Sequence, residues 1–273
     1  MSTNFGPGLH VAPGRAVDAS AYDRWVGRWS RLFVPSVLAA AEVKAGYRVL
    51  DVSTGTGEAA LMTLPIVGRS GLVIGADISP ALLEGARDRL DEPSFWPVAA
   101  DGQALPFSDG SFDAVMCQLG LQFFPDPARG LREFCRVLRI GGCAAVCVIC
   151  TPDRAPIWGI LADVLSRFLP EQRDIIHLSF ALADPNRLEG MLADAGFRDT
   201  RVDREKREGV FESFDDYWNP IEAGIGSIPQ AYLALSETDR LSVRQEVRER
   251  RSKFEANGRL FMSIEMLIGR GRA

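Results

Sequence analysis

The sequence predicts an α/β fold: a doubly wound, largely parallel sheet carrying a mainly helical cap. Three observations predict it. Short apolar runs alternate with helix-like segments from residue 45 to about 150, the signature of repeated βαβ units. The first apolar run ends in a glycine-rich turn that opens a helix. The chain closes on a strand in which Leu260, Met262, Ile264, Met266 and Ile268 share one face at period two.

Taken in order, residues 47–52 form the first strand and residues 72–77 the second. Ser79 then caps a helix with Pro80 at its first position. A third strand falls near residues 95–99 and a fourth at 112–119. Asp126-Pro127 opens a helix whose apolar face is Leu131, Phe134, Cys135 and Leu138. Gly141-Gly142 is expected to stop it, and residues 144–150 form strand five. Beyond this core, residues 155–169 and 185–195 read as helices, the latter stopped by Gly196. From Arg198 to Glu208 all but two residues are charged, as suits a solvated edge strand that resists edge-to-edge pairing. Residues 209–258 read as mainly helical, with Ser236-x-x-Asp239 as a capping box.

Composition narrows the function. With 273 residues, 47% hydrophobic and 25% charged, the chain is ordinary globular protein. A net charge of −5 provides no basic face for nucleic acid or an anionic membrane. No apolar run approaches the length of a membrane span. The Gly/Pro-rich first fifteen residues read as a flexible tail. Five cysteines, three of them within residues 143–150, suit buried thiols in a reducing cytoplasm. Cys147-x-x-Cys150 lacks the second pair or nearby His that a metal site needs, so no metal is expected.

The chemistry sits at strand ends. Asp51-Val52-Ser53-Thr54-Gly55-Thr56-Gly57 follows strand one, and its glycines let backbone approach a ligand closely. Gly55-x-Gly57-x-x-Ala60 with Asp77 further on also fits a dinucleotide site, so a nicotinamide oxidoreductase stands as a rival reading. Three features favour another cofactor. Asp51 places a carboxylate inside the end of strand one, where it can hold a cationic amino group. Asp101-Gly102-Gln103 follows strand three, and Leu105-Pro106-Phe107-Ser108-Asp109-Gly110-Ser111-Phe112-Asp113 leads into strand four.

On these residues the chain resembles the class I S-adenosylmethionine-dependent methyltransferases, in the branch that includes the ubiquinone/menaquinone C-methyltransferases. The resemblance implies a Rossmann-like sheet of seven strands with the last antiparallel. It further implies that the 51–57 loop wraps the methionine and ribose parts of S-adenosyl-L-methionine, with Asp51 near the amino group. Asp77 would bind the ribose hydroxyls, Ile78 and Leu82 would flank adenine, and Asp101, Gly102 and Gln103 would address its edge. Gln118 would lie beside the methionine part and face the acceptor. Ser53 departs from the pattern, standing where the first glycine is usual; its hydroxyl could bond the cofactor. Each residue also has a structural reading: Asp77 as a helix cap, Gln118 as a satisfied strand end, Gly55 and Gly57 as a simple turn.

Residues 1–44 are expected to form a tail and lid helix, and 45–273 a methyltransferase domain with cap insertions at about 151–183 and 209–258. Four of the five tryptophans, Trp25, Trp29, Trp158 and Trp218, fall in the lid and cap. They suggest an aromatic lining and a small apolar or aromatic acceptor. Tyr22 or Trp29 could face the sulfonium. No general base stands out. His10 lies in the tail, and His177 and Tyr22 are the candidates, with Asp153, Tyr217 and Glu222 behind them. A cofactor-binding partner subunit without turnover is the non-enzyme alternative.

Overall fold

The computed structural model describes residues 26–224 and 227–273. Five parallel strands come first: β1 (Arg48–Val52), β2 (Leu72–Asp77), β3 (Phe95–Ala99), β4 (Phe112–Gln118) and β5 (Leu138–Ile149). The edge strand β6 (Arg198–Phe211), the two-residue β7 (Glu255–Ala256) and the closing β8 (Arg259–Arg272) complete the sheet. The order is β3-β2-β1-β4-β5-β8-β6, with β7 paired to β8 off this path. β8 runs antiparallel to both β5 and β6. The seven expected strands form with the last antiparallel, and β7 is an addition. It is the first arm of a hairpin that turns at Asn257-Gly258, both at positive φ (54° and 78°). Such an Asn-Gly pair is the preferred two-residue hairpin turn, so the expected helical stretch ends sooner than residue 258.

Ten helices are relevant: α1 (Val34–Ala40), α2 (Glu58–Val67), α3 (Pro80–Arg89), α4 (Pro127–Val137), α5 (Pro156–Phe168), α6 (Arg173–Ile176), α7 (Pro185–Asp194), α8 (Phe214–Glu222), α9 (Ser227–Leu233) and α10 (Glu237–Arg251). Ser79, Asp126 and Ser236 cap α3, α4 and α10 through side-chain oxygens that accept from Leu82, Arg129 and Asp239 N–H. Gly141-Gly142 does not stop α4. The helix ends at Val137, and the glycines lie inside β5 at a register shift against β4. Gly141 sits at φ 81°, and a side chain on Gly142 would come 2.9 Å from the Asp113 carbonyl oxygen.

Strand alternation builds two cores, one on each face of the sheet. Leu50, Val52, Val115, Leu131 and Phe134 belong to the one under α4 and α7; Val49, Met116, Val37 and Leu161 belong to the other. The described part of the lid segment is not set apart from the domain. Phe33, Val34 and Val37 are fully buried in the larger core. Arg28 donates to both Asp216 carboxylate oxygens and to the Val210 carbonyl. The apolar stripe of α1, with Val37 and Leu38, packs into this larger core.

β6 is the outermost strand, and Arg201–Asp203 and Arg207–Glu205 pair along it. Among the described residues, no helix is long and apolar enough to cross a membrane. The cap aromatics are placed differently from expectation. Trp29 and Phe211 rings lie 4.6 Å apart, Phe211 and Tyr217 5.2 Å, Phe214 and Trp218 5.5 Å, and Trp218 and Tyr232 5.2 Å. All six are buried. They form the packing interior of the cap, since each ring gains more area against its neighbours than against an open mouth. Arg251, also fully buried, stacks 3.4 Å above Tyr217 and donates to the Pro156 and Ile157 carbonyls.

Candidate functional site

β1 delivers a buried carboxylate to the sheet's carboxyl end. Asp51 is 1% exposed and accepts from the Thr54 hydroxyl at 2.7 Å. Burial, helped by the nearby Asp77 charge, pushes its pKa from the usual 3.8 up to about 7. The chain then turns sharply: Ser53, Gly55 and Gly57 all take positive φ (59°, 56° and 81°). The φ of Gly57 favours glycine, and a side chain there would also have to displace the Leu90 side-chain tip, 2.5 Å away. α2 starts at the next residue.

Asp77, at the end of β2, ties this loop down. One carboxylate oxygen accepts from Gly55 N–H and the other from Ser79 N–H, both at 2.9 Å. Burial raises its pKa, and these amides oppose the shift. Ser79, not Asp77, caps α3; Asp77 instead clamps the loop to the cap residue, and each of its oxygens keeps a second lone pair for a ligand. Ile78 is half-buried and Leu82 buried in the first turn of α3. After β3, Asp101 accepts from the Gln103 backbone at 2.8 Å and from its side-chain amide at 3.2 Å. The Gln103 carbonyl accepts from Asp126 N–H at 2.7 Å, so this side chain braces Asp101 against the α4 cap. Gly102 is held by packing, since a Cβ there would overlap the Phe124 ring. At the end of β4, Gln118 donates to the Ser30 carbonyl.

Because β3, β2, β1 and β4 are adjacent and parallel, these residues share one edge of the sheet, where open α/β folds bind ligands. The described base candidates have partners of their own. His177 Nε2 lies 2.9 Å from the Ser166 hydroxyl and 3.9 Å from Asp163, and burial lowers its pKa. Tyr217 donates to the Ile157 carbonyl inside the cap. Glu222 accepts from Trp218 and Tyr232. Asp153 is held ionised by the Thr151 hydroxyl. Tyr22, Trp25 and His10 lie outside the described residues. Trp29, 3% exposed, packs on Phe211. Sequence reasoning overlooked Thr54, although Asp-x-x-Thr spacing at a strand end is a readable signal, and it overlooked Gln122, which has none.

Ser53 gives a direct test of the loop geometry. Its φ is one that side chains disfavour. Both Ser53→Ala and Ser53→Gly delete the hydroxyl, but only glycine is unstrained at this φ. The glycine variant should be more stable than the alanine variant by about 0.5–1 kcal/mol in thermal melts. The reverse order would mean that the residue does not hold this conformation.

This sheet order, with a glycine turn after β1 and acidic residues ending β1, β2 and following β3, defines the architecture of the class I methyltransferases. The model of the ubiE/COQ5 methyltransferase family matches residues 27–211. The chain belongs to that family. A ubiquinone/menaquinone biosynthesis C-methyltransferase of Xanthomonas campestris is 43% identical over 122 residues, covering 43% of this chain and 47% of the relative. The chain therefore matches less than half the length of that relative. A solved Bacillus halodurans protein has TM-score 0.60 at 23% identity, covering 88% of this chain and 97% of that one. An S-adenosylmethionine-dependent methyltransferase from Aquifex aeolicus has TM-score 0.51 at 22% identity, covering 71% and 92%. At these identities the structures speak for the fold alone. None of the comparisons supports a nicotinamide oxidoreductase or a subunit without turnover.

Proposed function

We infer that the chain transfers a methyl group from S-adenosyl-L-methionine to a small, apolar or aromatic acceptor. The observation that carries this reading is Asp51. A buried carboxylate with a hydroxyl partner and no cation beside it among the described residues, at the foot of a glycine loop, suits an incoming ammonium group. When bound, the cofactor supplies an already activated methyl group on a sulfonium.

The remaining assignments are those the family resemblance implies, and their position along one edge of the sheet supports them. The backbone of Ser53, Gly55 and Gly57 lies along the methionine and ribose parts, and Asp77 accepts from the ribose hydroxyls. Ile78 and Leu82 flank adenine; Asp101 and Gly102 address its edge, with Gln103 holding Asp101 in place. Gln118 stands between cofactor and acceptor. The acceptor's nucleophilic atom takes the methyl carbon as the sulfur–carbon bond breaks, S-adenosylhomocysteine leaves, and the acceptor's proton passes to water. With no base among these residues, alignment of donor and acceptor carries the acceleration, worth up to about 7–11 kcal/mol.

The cap segments at about 151–183 and 209–258 cover the acceptor side in this reading. The curated relatives are named for ubiquinone and menaquinone biosynthesis, which supports an aromatic acceptor of that general kind. Five free thiols favour a cytoplasmic setting.

Asp77→Ala should weaken S-adenosylhomocysteine binding by about 1.5–3 kcal/mol in calorimetry, through the lost charged acceptor. An unchanged affinity would remove Asp77 from the ligand set. The reading as a whole is tested by incubating the protein and cell extract with methyl-labelled cofactor. Labelled, organic-soluble product together with S-adenosylhomocysteine supports it. Absence of any thermal shift with S-adenosylhomocysteine overturns it.

A further inference from the structure

Two glutamines at the end of β4 carry amide atoms that nothing in the described structure satisfies. Gln122, in the short turn Leu121–Phe123, is 2% exposed, and neither its carbonyl oxygen nor its amide nitrogen has a hydrogen-bond partner. Gln118 uses its nitrogen on the Ser30 carbonyl, leaving its carbonyl oxygen buried and unpaired. Native proteins seldom bury polar atoms unpaired, because each keeps its full desolvation cost. The turn between them is locked to the loops assigned above. Gly120 packs on Ser53 so closely that a Cβ would overlap its hydroxyl, and Phe124 presses on Gly102 in the same way. The turn that carries Gln122 thus sits between the 51–57 loop and the segment after β3, just past the carboxyl end of β4.

We propose that Gln118 and Gln122 form a recognition site for a neutral hydroxyl group on the methyl acceptor, a phenol, enol or alcohol rather than an acid. This rests on the methyl-transfer reading. The free atoms are two carbonyl oxygens, which accept, and one NH2 group, which carries two N–H donors. A hydroxyl matches them, donating its O–H to a carbonyl oxygen while accepting from the Gln122 amide. A carboxylate or phosphate would meet two acceptors and the charge of Asp51, which pairs with Met116 on the neighbouring strand. Among the described residues, no cation acts on Asp51. The Cys117 thiol is pushed up to about 12 and stays neutral, and burial lowers the pKa of His177, which precedes the turn Leu178–Phe180 packed on Leu121–Phe123. A neutral amide pair also does not remove a proton, so the site reads the acceptor without acting as its base.

The test uses naphthalene, 1-naphthol and 1-naphthoate as probes of one shape and three polarities. Each is titrated into protein saturated with S-adenosylhomocysteine. The wild type should bind 1-naphthol about tenfold more tightly than naphthalene, the scale of one or two buried hydrogen bonds, and should not prefer 1-naphthoate over naphthalene. Gln122→Met keeps the shape and removes the polar atoms; it should abolish the preference and leave S-adenosylhomocysteine affinity within about twofold. Gln122→Leu repeats the comparison should the first variant not fold. The proposal is overturned if both variants keep the preference, if the wild type shows none, or if 1-naphthoate binds best. A large loss of S-adenosylhomocysteine affinity in Gln122→Met also overturns it, because the amide then serves the cofactor. Wild-type protein that fails to bind S-adenosylhomocysteine would instead refute the methyl-transfer reading itself.

Discussion

Asp51→Asn is expected to weaken S-adenosylhomocysteine binding by about 2–5 kcal/mol, the cost of removing one partner from a buried charge pair. The substitution keeps the shape and an acceptor for the Thr54 hydroxyl, so the loop should persist while the charge is lost. The pH dependence gives a second signature. The folded pKa of Asp51 is raised to about 7, so the group is increasingly protonated below that pH. Cofactor affinity should therefore fall roughly tenfold per unit as pH drops below 7, and the Asn variant should be flat over the same range. For the ligand-free protein the sign is opposite. A raised folded pKa contributes stability at acid pH that is lost as pH rises from about 4 to 7. Calorimetric titrations of both proteins at pH 6 and 7.5 settle the matter; equal pH slopes would take the carboxylate out of the binding step.

Gly159→Ala should cost about 3 kcal/mol of stability and lower the melting temperature by roughly 10 °C. Gly159 lies in α5, and a Cβ there would overlap the Pro152 carbonyl group. The obstructing atoms are backbone, which does not swing aside as a side-chain tip would. Relief requires moving α5 away from the segment that follows β5, and α5 carries Ile157, Leu161 and Leu165 into the larger core. A melting temperature within two degrees of wild type would show that the helix has room to shift.

Much of the fold was legible because it is written in local chemistry. β2 and β3 are apolar runs bounded by turn residues, and their ends match expectation to the residue. Ser79-Pro80 and Asp126-Pro127 announce their helices through caps that need only neighbouring amides. Errors arose where one residue type serves two geometries. Gly141-Gly142 looks like a helix stop, yet it permits a bulge where β5 meets Asp113. Asn257-Gly258 was a hairpin signal hidden inside a stretch read as helix. The candidate cofactor site was legible as a set of strand ends, but the use each residue makes of its atoms was not. Spacing places Asp77 and Gln103; only three-dimensional packing shows that the first clamps Gly55 and the second braces Asp101. The aromatic residues of the cap mark an apolar surface without saying what covers it, and here they cover one another.

The chain of rings that starts at Trp29 has a bearing on how this protein can change. Arg28 and Asp216 are 188 positions apart, yet they meet beside the Trp29–Phe211 contact. The Arg28 turn and the cap are thus one heritable block split between distant stretches of the sequence. A recombinant that takes its cap from one homologue and its first forty residues from another would separate partners that were selected together. Diversification toward a new acceptor would then advance more readily by point substitution within the block than by exchange of the cap alone.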